Sequence, residues 1–170
     1  MLQAQIKETE YVLETPRDYK KYPAVNSNYI EILGNAGLYS LNFDRIFLHR
    51  EQFKISGRIG ANIWPVGYNI EQAYVVENNY IFLPSPHHVE IGPGLTLQRK
   101  YNPSCMDTTT YKWESVWFGM FRLGYRYQKD EDGFFFRFGL TPIFYRKYPC
   151  AVDIPPKNWF WLGIAIGMSY

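Results

Sequence analysis

No run in the chain approaches the ~18 consecutive apolar residues that a membrane-crossing helix needs, so helical spans are excluded. Neither sign of charge dominates: 18 Lys and Arg face 16 Asp and Glu, for a formal net charge of +2. The basic residues are scattered, not gathered on one stretch, which argues against a nucleic-acid partner. Histidine occurs only three times. His87 and His88 are adjacent and would point to opposite faces of a strand. With no third ligand nearby they make a poor metal site, and no cofactor is expected. Cysteine occurs twice, at Cys105 and Cys150. Both fall in segments read as loops, where they either pair in an oxidising compartment or stay apart as thiols.

Aromatic residues, by contrast, are plentiful: 19%, with fifteen Tyr, twelve Phe and five Trp. The most informative stretch is the last, residues 158–170. At period two, Phe160, Leu162, Ile164, Ile166, Met168 and Tyr170 share one side, and Trp161, Gly163, Ala165, Gly167 and Ser169 the other. A half-buried soluble strand would put polar residues on its second face. Here that face is small, which is the pattern of a transmembrane β-strand with a greasy exterior and a crowded interior.

The same alternation recurs upstream. Residues 29–47 read as one bulged strand or two short ones, because the parity of the large residues flips between Gly34 and Gly37. Residues 53–63 alternate cleanly, with Lys54, Ser56 and Arg58 opposite Ile55 and Ile59. An open loop is expected from Trp64 to about Val75, then a short strand over 79–83. Residues 88–98, 114–128 and 134–141 alternate again, separated by a polar loop over 99–112 and a charged turn, Lys129 to Gly133. Pro93 breaks the fifth pattern without an evident reason. Seven strands are clear, and single-chain bacterial barrels have even numbers. The expected fold is therefore an all-β, eight-stranded antiparallel transmembrane β-barrel over 29–170, its lumen filled by side chains, with the extra strand hidden in 29–47. Residues 1–28, interrupted by Pro16 and Pro23 and rich in charge, read as a polar periplasmic tail.

Inward parity collects Asp44, Lys54, Arg58, Glu90, Arg122, Arg126 and Arg137. The expected role is an ion-pair network that closes the lumen, with Glu90 between Arg122 and Arg126. The alternative, a selectivity ring, fits mixed signs less well. Outward parity collects Trp117, Phe121, Phe134, Phe136 and Phe138, an aromatic face for lipid or a membrane partner. With the C-terminus placed in the periplasm, Trp64, Trp117, Tyr145 and Trp159 fall at one rim and Phe43, Phe53, Tyr125, Tyr127, Phe134 and Tyr170 at the other, as two aromatic girdles. The opening residues, Met1 to Gln5, are too short and polar for a secretory signal, so the leader such a barrel needs is expected to be missing from this sequence.

Four segments then carry a resemblance: Tyr-Ile-Glu-Ile-Leu-Gly-Asn-Ala-Gly-Leu-Tyr-Ser-Leu-Asn-Phe-Asp-Arg at 29–45, Val-Glu-Ile-Gly-Pro-Gly at 89–94, Gly-Tyr-Arg-Tyr-Gln at 124–128 and Phe-Arg-Phe-Gly-Leu-Thr-Pro at 136–142. Together they resemble the small, uncharacterised outer-membrane β-barrel proteins of the Bacteroidetes type. The resemblance implies fold and location, and no activity. The expected partners are outer-membrane lipid and lipopolysaccharide, and beyond them a larger outer-membrane complex. The functional expectation is a non-enzymatic structural or accessory subunit. The alternatives are a narrow small-solute channel and a lipid-modifying enzyme. For the last, Ser85 next to His87 and His88 is the nearest thing to a nucleophile–base pair, and it inverts the order such enzymes use.

Overall fold

A computed structural model describes residues 24–66, 69–103, 111–144 and 158–170. Eight strands form one closed antiparallel barrel, each paired with its sequence neighbour and the last with the first. They are β1 (Asn26–Gly34), β2 (Gly37–His49), β3 (Phe53–Val66), β4 (Asn69–Phe82), β5 (His87–Pro103), β6 (Tyr111–Gln128), β7 (Gly133–Phe144) and β8 (Asn158–Ser169). Closure leaves no sheet edge along most of the wall, which is what a strand assembly needs in a solvent that offers no hydrogen bonds.

The glycine-flanked stretch is two strands. Gly34 pairs with Gly37 and closes a hairpin over Asn35 and Ala36. Gly37 sits at φ 95°, a backbone region that glycine enters without steric cost. Strand β1 begins at Asn26, where 29 was expected. The loop expected from Trp64 to Val75 is instead the end of β3 and the start of β4, paired continuously from Phe53–Phe82 to Val66–Asn69. Pro65 is tolerated there because β3 has no β2 partner beyond Ala61. Strand β5 likewise runs on to Pro103 and β6 starts at Tyr111, inside the expected loop. Pro93 also finds a reason. The β4–β5 ladder is interrupted between Glu77–Gly94 and Tyr80–Ile91, and Pro93, with no N–H to give, lies in that gap.

Every strand turns a large apolar side chain outward: Ile30, Leu41, Ile59, Val76, Leu95, Leu123, Leu140 and Ile166 are all exposed. The interior is divided. Toward one rim it is apolar, with Ala36, Ala73, Val75, Val116, Phe118, Met120 and Ile143 packed against Trp161. The ion-pair network expected in the lumen therefore occupies only part of it. The β1–β2 hairpin stops short and its tip is buried among these residues, Asn35 at 2% exposure and Ala36 at 4%. Toward the other rim the interior is charged. That rim carries the connections 50–52, 83–86 and 129–132 together with Tyr170, and is called the C-terminal rim below.

Candidate functional site: the charged lumen

Four carboxylates, Glu31, Asp44, Glu77 and Glu90, and four guanidiniums, Arg58, Arg122, Arg126 and Arg137, point inward with at most 2% exposure. Equal numbers matter, because an unpaired charge withdrawn from water costs several kcal/mol, on the order of 3–5 when one partner is removed. Glu31 receives Arg58, and its Oε1 lies 2.6 Å from Arg122 Nη2. Glu77 takes three arginines: Arg58 Nη1 at 2.9 Å, Arg122 Nη2 at 3.3 Å and Arg137 Nη2 at 3.2 Å. Arg137 Nε then donates to Glu90, whose other oxygen lies 3.8 Å from Arg126 Nη1. Arg126 Nη2 ends the chain on Asp44 Oδ1 at 2.6 Å.

Neutral groups take up further hydrogen bonds, though Glu90 Oε2 and Arg122 Nη1 have no hydrogen-bond partner among the described residues. Asn42 Oδ1 accepts from Arg58 Nε at 2.9 Å, Ser56 Oγ donates to Asp44 at 3.0 Å, and Gln128 Oε1 accepts from Arg126 Nε at 2.8 Å. Tyr29 and Phe135 stack at 4.7 Å between the cations. The Arg126 guanidinium lies 4.9 Å from the Phe135 ring and that of Arg137 5.9 Å from Tyr29, within the range where a ring face attracts a cation. At this level all eight charged side chains are closed off from solvent.

The small face of β8 serves this packing. A side chain at Gly163 would meet Glu31 Oε1 at 2.8 Å, and one at Gly34 would collide with the same carboxylate. An interior this narrow seats four arginines only where its wall is bare.

Six of the seven expected lumen residues belong to the network, but two pairings differ from the expectation. Glu90 bridges Arg126 and Arg137, not Arg122, because Arg122 reaches across to Glu31 and Glu77. Lys54 pairs with none of the lumen carboxylates. Its Nζ lies 2.6 Å from Asp130 Oδ1 in the β6–β7 turn. Lys54 is on β3 and the turn leads into β7, the strand diametrically opposite in a ring of eight, so the turn folds across the mouth. Ala24 joins this strap. Its N–H donates to Asp130 O at 2.8 Å and its carbonyl accepts from Gln128 Nε2 at 3.1 Å. Glu31 and Glu77 went unrecognised in the sequence.

Asp130 of the charged turn thus carries an ion pair although its side chain is half exposed. Partial burial raises its carboxyl pKa, but the hydrogen bond and charge of Lys54, with His49 behind, outweigh burial and hold it below the ordinary value. A lowered folded pKa gives stability above the unfolded value near ~3.9 that is lost as pH falls through the folded one. The Asp130 side chain is 48% exposed, so screening limits the effect. Asp130→Asn should lower the unfolding free energy at pH 7 by about 1 kcal/mol or less. Urea titrations at pH 7 and pH 3 should show that difference shrinking toward zero in acid.

His88 is buried at the start of β5, its ring nitrogens 2.8 Å from Leu83 O and 3.2 Å from Gln128 O. Ser85 Oγ donates to Gln128 O at 3.3 Å and accepts from Asp130 N–H at 3.1 Å. His87 points outward, its Nδ1 2.7 Å from the Tyr125 hydroxyl. Serine and histidines thus spend their polar atoms on other partners, not on each other. Trp117, Phe134 and Phe138 are exposed on the outer wall, and Phe121 and Phe136 are half-buried there. Cys105, Cys150 and Tyr145 lie outside the described residues.

No protein-family profile and no curated protein sequence matches the chain. Among solved structures, the N-terminal β-barrel domain of Pseudomonas aeruginosa OprF is similar, with a TM-score of 0.57 and 10% identity over 88% of this chain and 98% of that one. Ail, the attachment invasion locus protein of Yersinia pestis, gives a TM-score of 0.49 at 8% identity over 86% of this chain and 93% of that one. The likeness to the OprF domain is one of fold: this chain is an all-β, closed eight-stranded antiparallel barrel.

Proposed function

We propose that the chain is a non-enzymatic outer-membrane β-barrel with a plugged lumen, acting as a structural or accessory subunit of an outer-membrane assembly. One observation carries the membrane reading: apolar side chains from all eight strands face outward while the arginines and carboxylates are enclosed. In water a continuous apolar girdle of that extent would drive association, whereas hydrocarbon is its matching solvent. Location of Tyr170 on the periplasmic side is supported by connection lengths. The strand ends joined by the two longest connections, Pro103 with Tyr111 and Phe144 with Asn158, are at the opposite rim, and outward-facing loops are the longer ones in such barrels. Kinship with the small Bacteroidetes barrels rests on the four sequence segments.

The plugged lumen has a direct consequence. In a planar lipid bilayer at neutral pH the protein should give no steady current, and a persistent single-channel conductance would overturn the plug in favour of a narrow solute pore. The accessory role is supported by aromatic residues on the outer wall, Trp117 toward one rim and Phe134 and Phe138 on the other half, which a neighbouring membrane protein fits as well as lipid does. Extraction of the native protein in a mild detergent, followed by mass spectrometry, should recover a constant membrane-protein partner. Recovery of the barrel alone would leave lipid as the sole neighbour of that face.

A further inference from the structure

The plugged barrel does not account for a cleft on its outer wall at the C-terminal rim. The cleft has a volume of about 390 Å³ and is lined by Tyr125 and Tyr127 of β6, Phe134 and Phe136 of β7, and Lys129, Asp132 and Gly133 of the turn between them. That volume falls within the ~300–1,000 Å³ range of small-ligand sites. Its rings meet diagonally across the two strands, Tyr127 and Phe134 at 6.2 Å and Tyr125 and Phe136 at 6.4 Å. Both pairs are tilted, at 49° and 55°, so they stand as walls of a groove. His87 backs the cleft from β5, bonded to the Tyr125 hydroxyl.

The chemistry is ordered along the barrel axis. The charged groups sit at the rim, then Tyr127 and Phe134, then Tyr125 and Phe136 toward the middle of the wall. A membrane lipid has the same order, headgroup outermost and chain inward. We propose that this cleft holds one zwitterionic phospholipid of the surrounding membrane. Lys129 takes the headgroup phosphate, Asp132 the headgroup ammonium, and the rings flank the upper part of an acyl chain. Charge complementarity selects the headgroup. Of the turn's charged residues one cation and one acid line the cleft, Lys129 and Asp132, while Asp130 is turned to Lys54. A headgroup with a phosphate and no ammonium satisfies Lys129 and leaves Asp132 facing like charge. This inference rests on the membrane-embedded reading above.

Native mass spectrometry of the full chain, released from mild detergent in the presence of equimolar phosphatidylethanolamine and phosphatidylglycerol, tests it. The expected result is one phosphatidylethanolamine adduct, preferred by about tenfold, the scale of one charge-assisted hydrogen bond. Lys129→Gln should lower that adduct about tenfold, and Asp132→Lys should turn the preference toward phosphatidylglycerol. Both side chains are exposed on a turn, and heat-shifted electrophoretic mobility confirms that each variant is a folded barrel. Equal occupancy by the two lipids, no adduct, or an unchanged preference in Asp132→Lys overturns the assignment. A chain that stays folded and monomeric in water without detergent removes the membrane reading itself. A detergent-dependent barrel with no headgroup preference removes only the cleft.

Discussion

Glu77→Gln should be the most damaging single substitution in the lumen. Glu77 is the carboxylate on which Arg58, Arg122 and Arg137 converge, and Asn35 at the tip of the β1–β2 hairpin also donates to it. The amide keeps the volume and removes the charge, leaving four buried guanidiniums against three carboxylates. Breaking a buried pair by removing one partner costs about 3–5 kcal/mol, most of it the penalty of stranding the other charge. Urea-induced unfolding from lipid vesicles, followed by tryptophan fluorescence, should show a loss of that size. The informative comparison is the double variant Glu77→Gln with Arg122→Met, which returns the lumen to neutrality. It should recover much of the loss, because residues in one network do not contribute additively. If the two losses simply add, the arginines are not coupled through Glu77, and the enclosed network is only a collection of separate pairs.

The count of charges explains what sequence reading missed. The seven residues expected in the lumen comprise two acids, Asp44 and Glu90, and five bases, Lys54, Arg58, Arg122, Arg126 and Arg137. That excess of three positive charges is untenable in an enclosed interior, and the imbalance was itself a signal that acids were missing. Glu31, Glu77 and Asp130 supply them. Glu31 was visible by parity, opposite the exposed Ile30 and Ile32. Glu77 was hidden for a physical reason. Strand β4 runs through the apolar half of the lumen, so Ala73 and Val75 point inward just as Tyr74 and Val76 point outward. With both faces apolar the period-two contrast vanishes, and the stretch reads as loop. Val116, Phe118 and Met120 face the same apolar compartment from β6. The Asp130 strap lay beyond local pattern altogether, since its partner Lys54 is 76 residues away in sequence. What alternation did reveal was the wall: the small side of β8, the outward Phe134, Phe136 and Phe138, and the inward arginines of β6 and β7. Those faces are fixed by the pleat, and the pleat does not depend on distant contacts.

Ile164→Arg probes the other side of that wall. Ile164 lies midway along β8, exposed, with Ile32 of β1 and Phe138 of β7 beside it in register. An arginine on the lipid face of a transmembrane barrel costs about 2–4 kcal/mol at the bilayer midplane and about 0–1 kcal/mol near the interface. Ile164→Arg should therefore lower the unfolding free energy in lipid vesicles by the larger amount. Met168→Arg, on the same face one residue from the end of β8 and paired with Asn28 and Phe134, should approach the smaller. The gradient is the test, because both substitutions remove a large apolar side chain and add the same cation. Equal losses at the two positions would mean that depth is irrelevant and that the exposed apolar girdle is covered by something other than hydrocarbon. A steep loss at 164 with tolerance at 168 fits only a barrel whose middle is immersed in lipid, since water or a polar partner would solvate the guanidinium at either height.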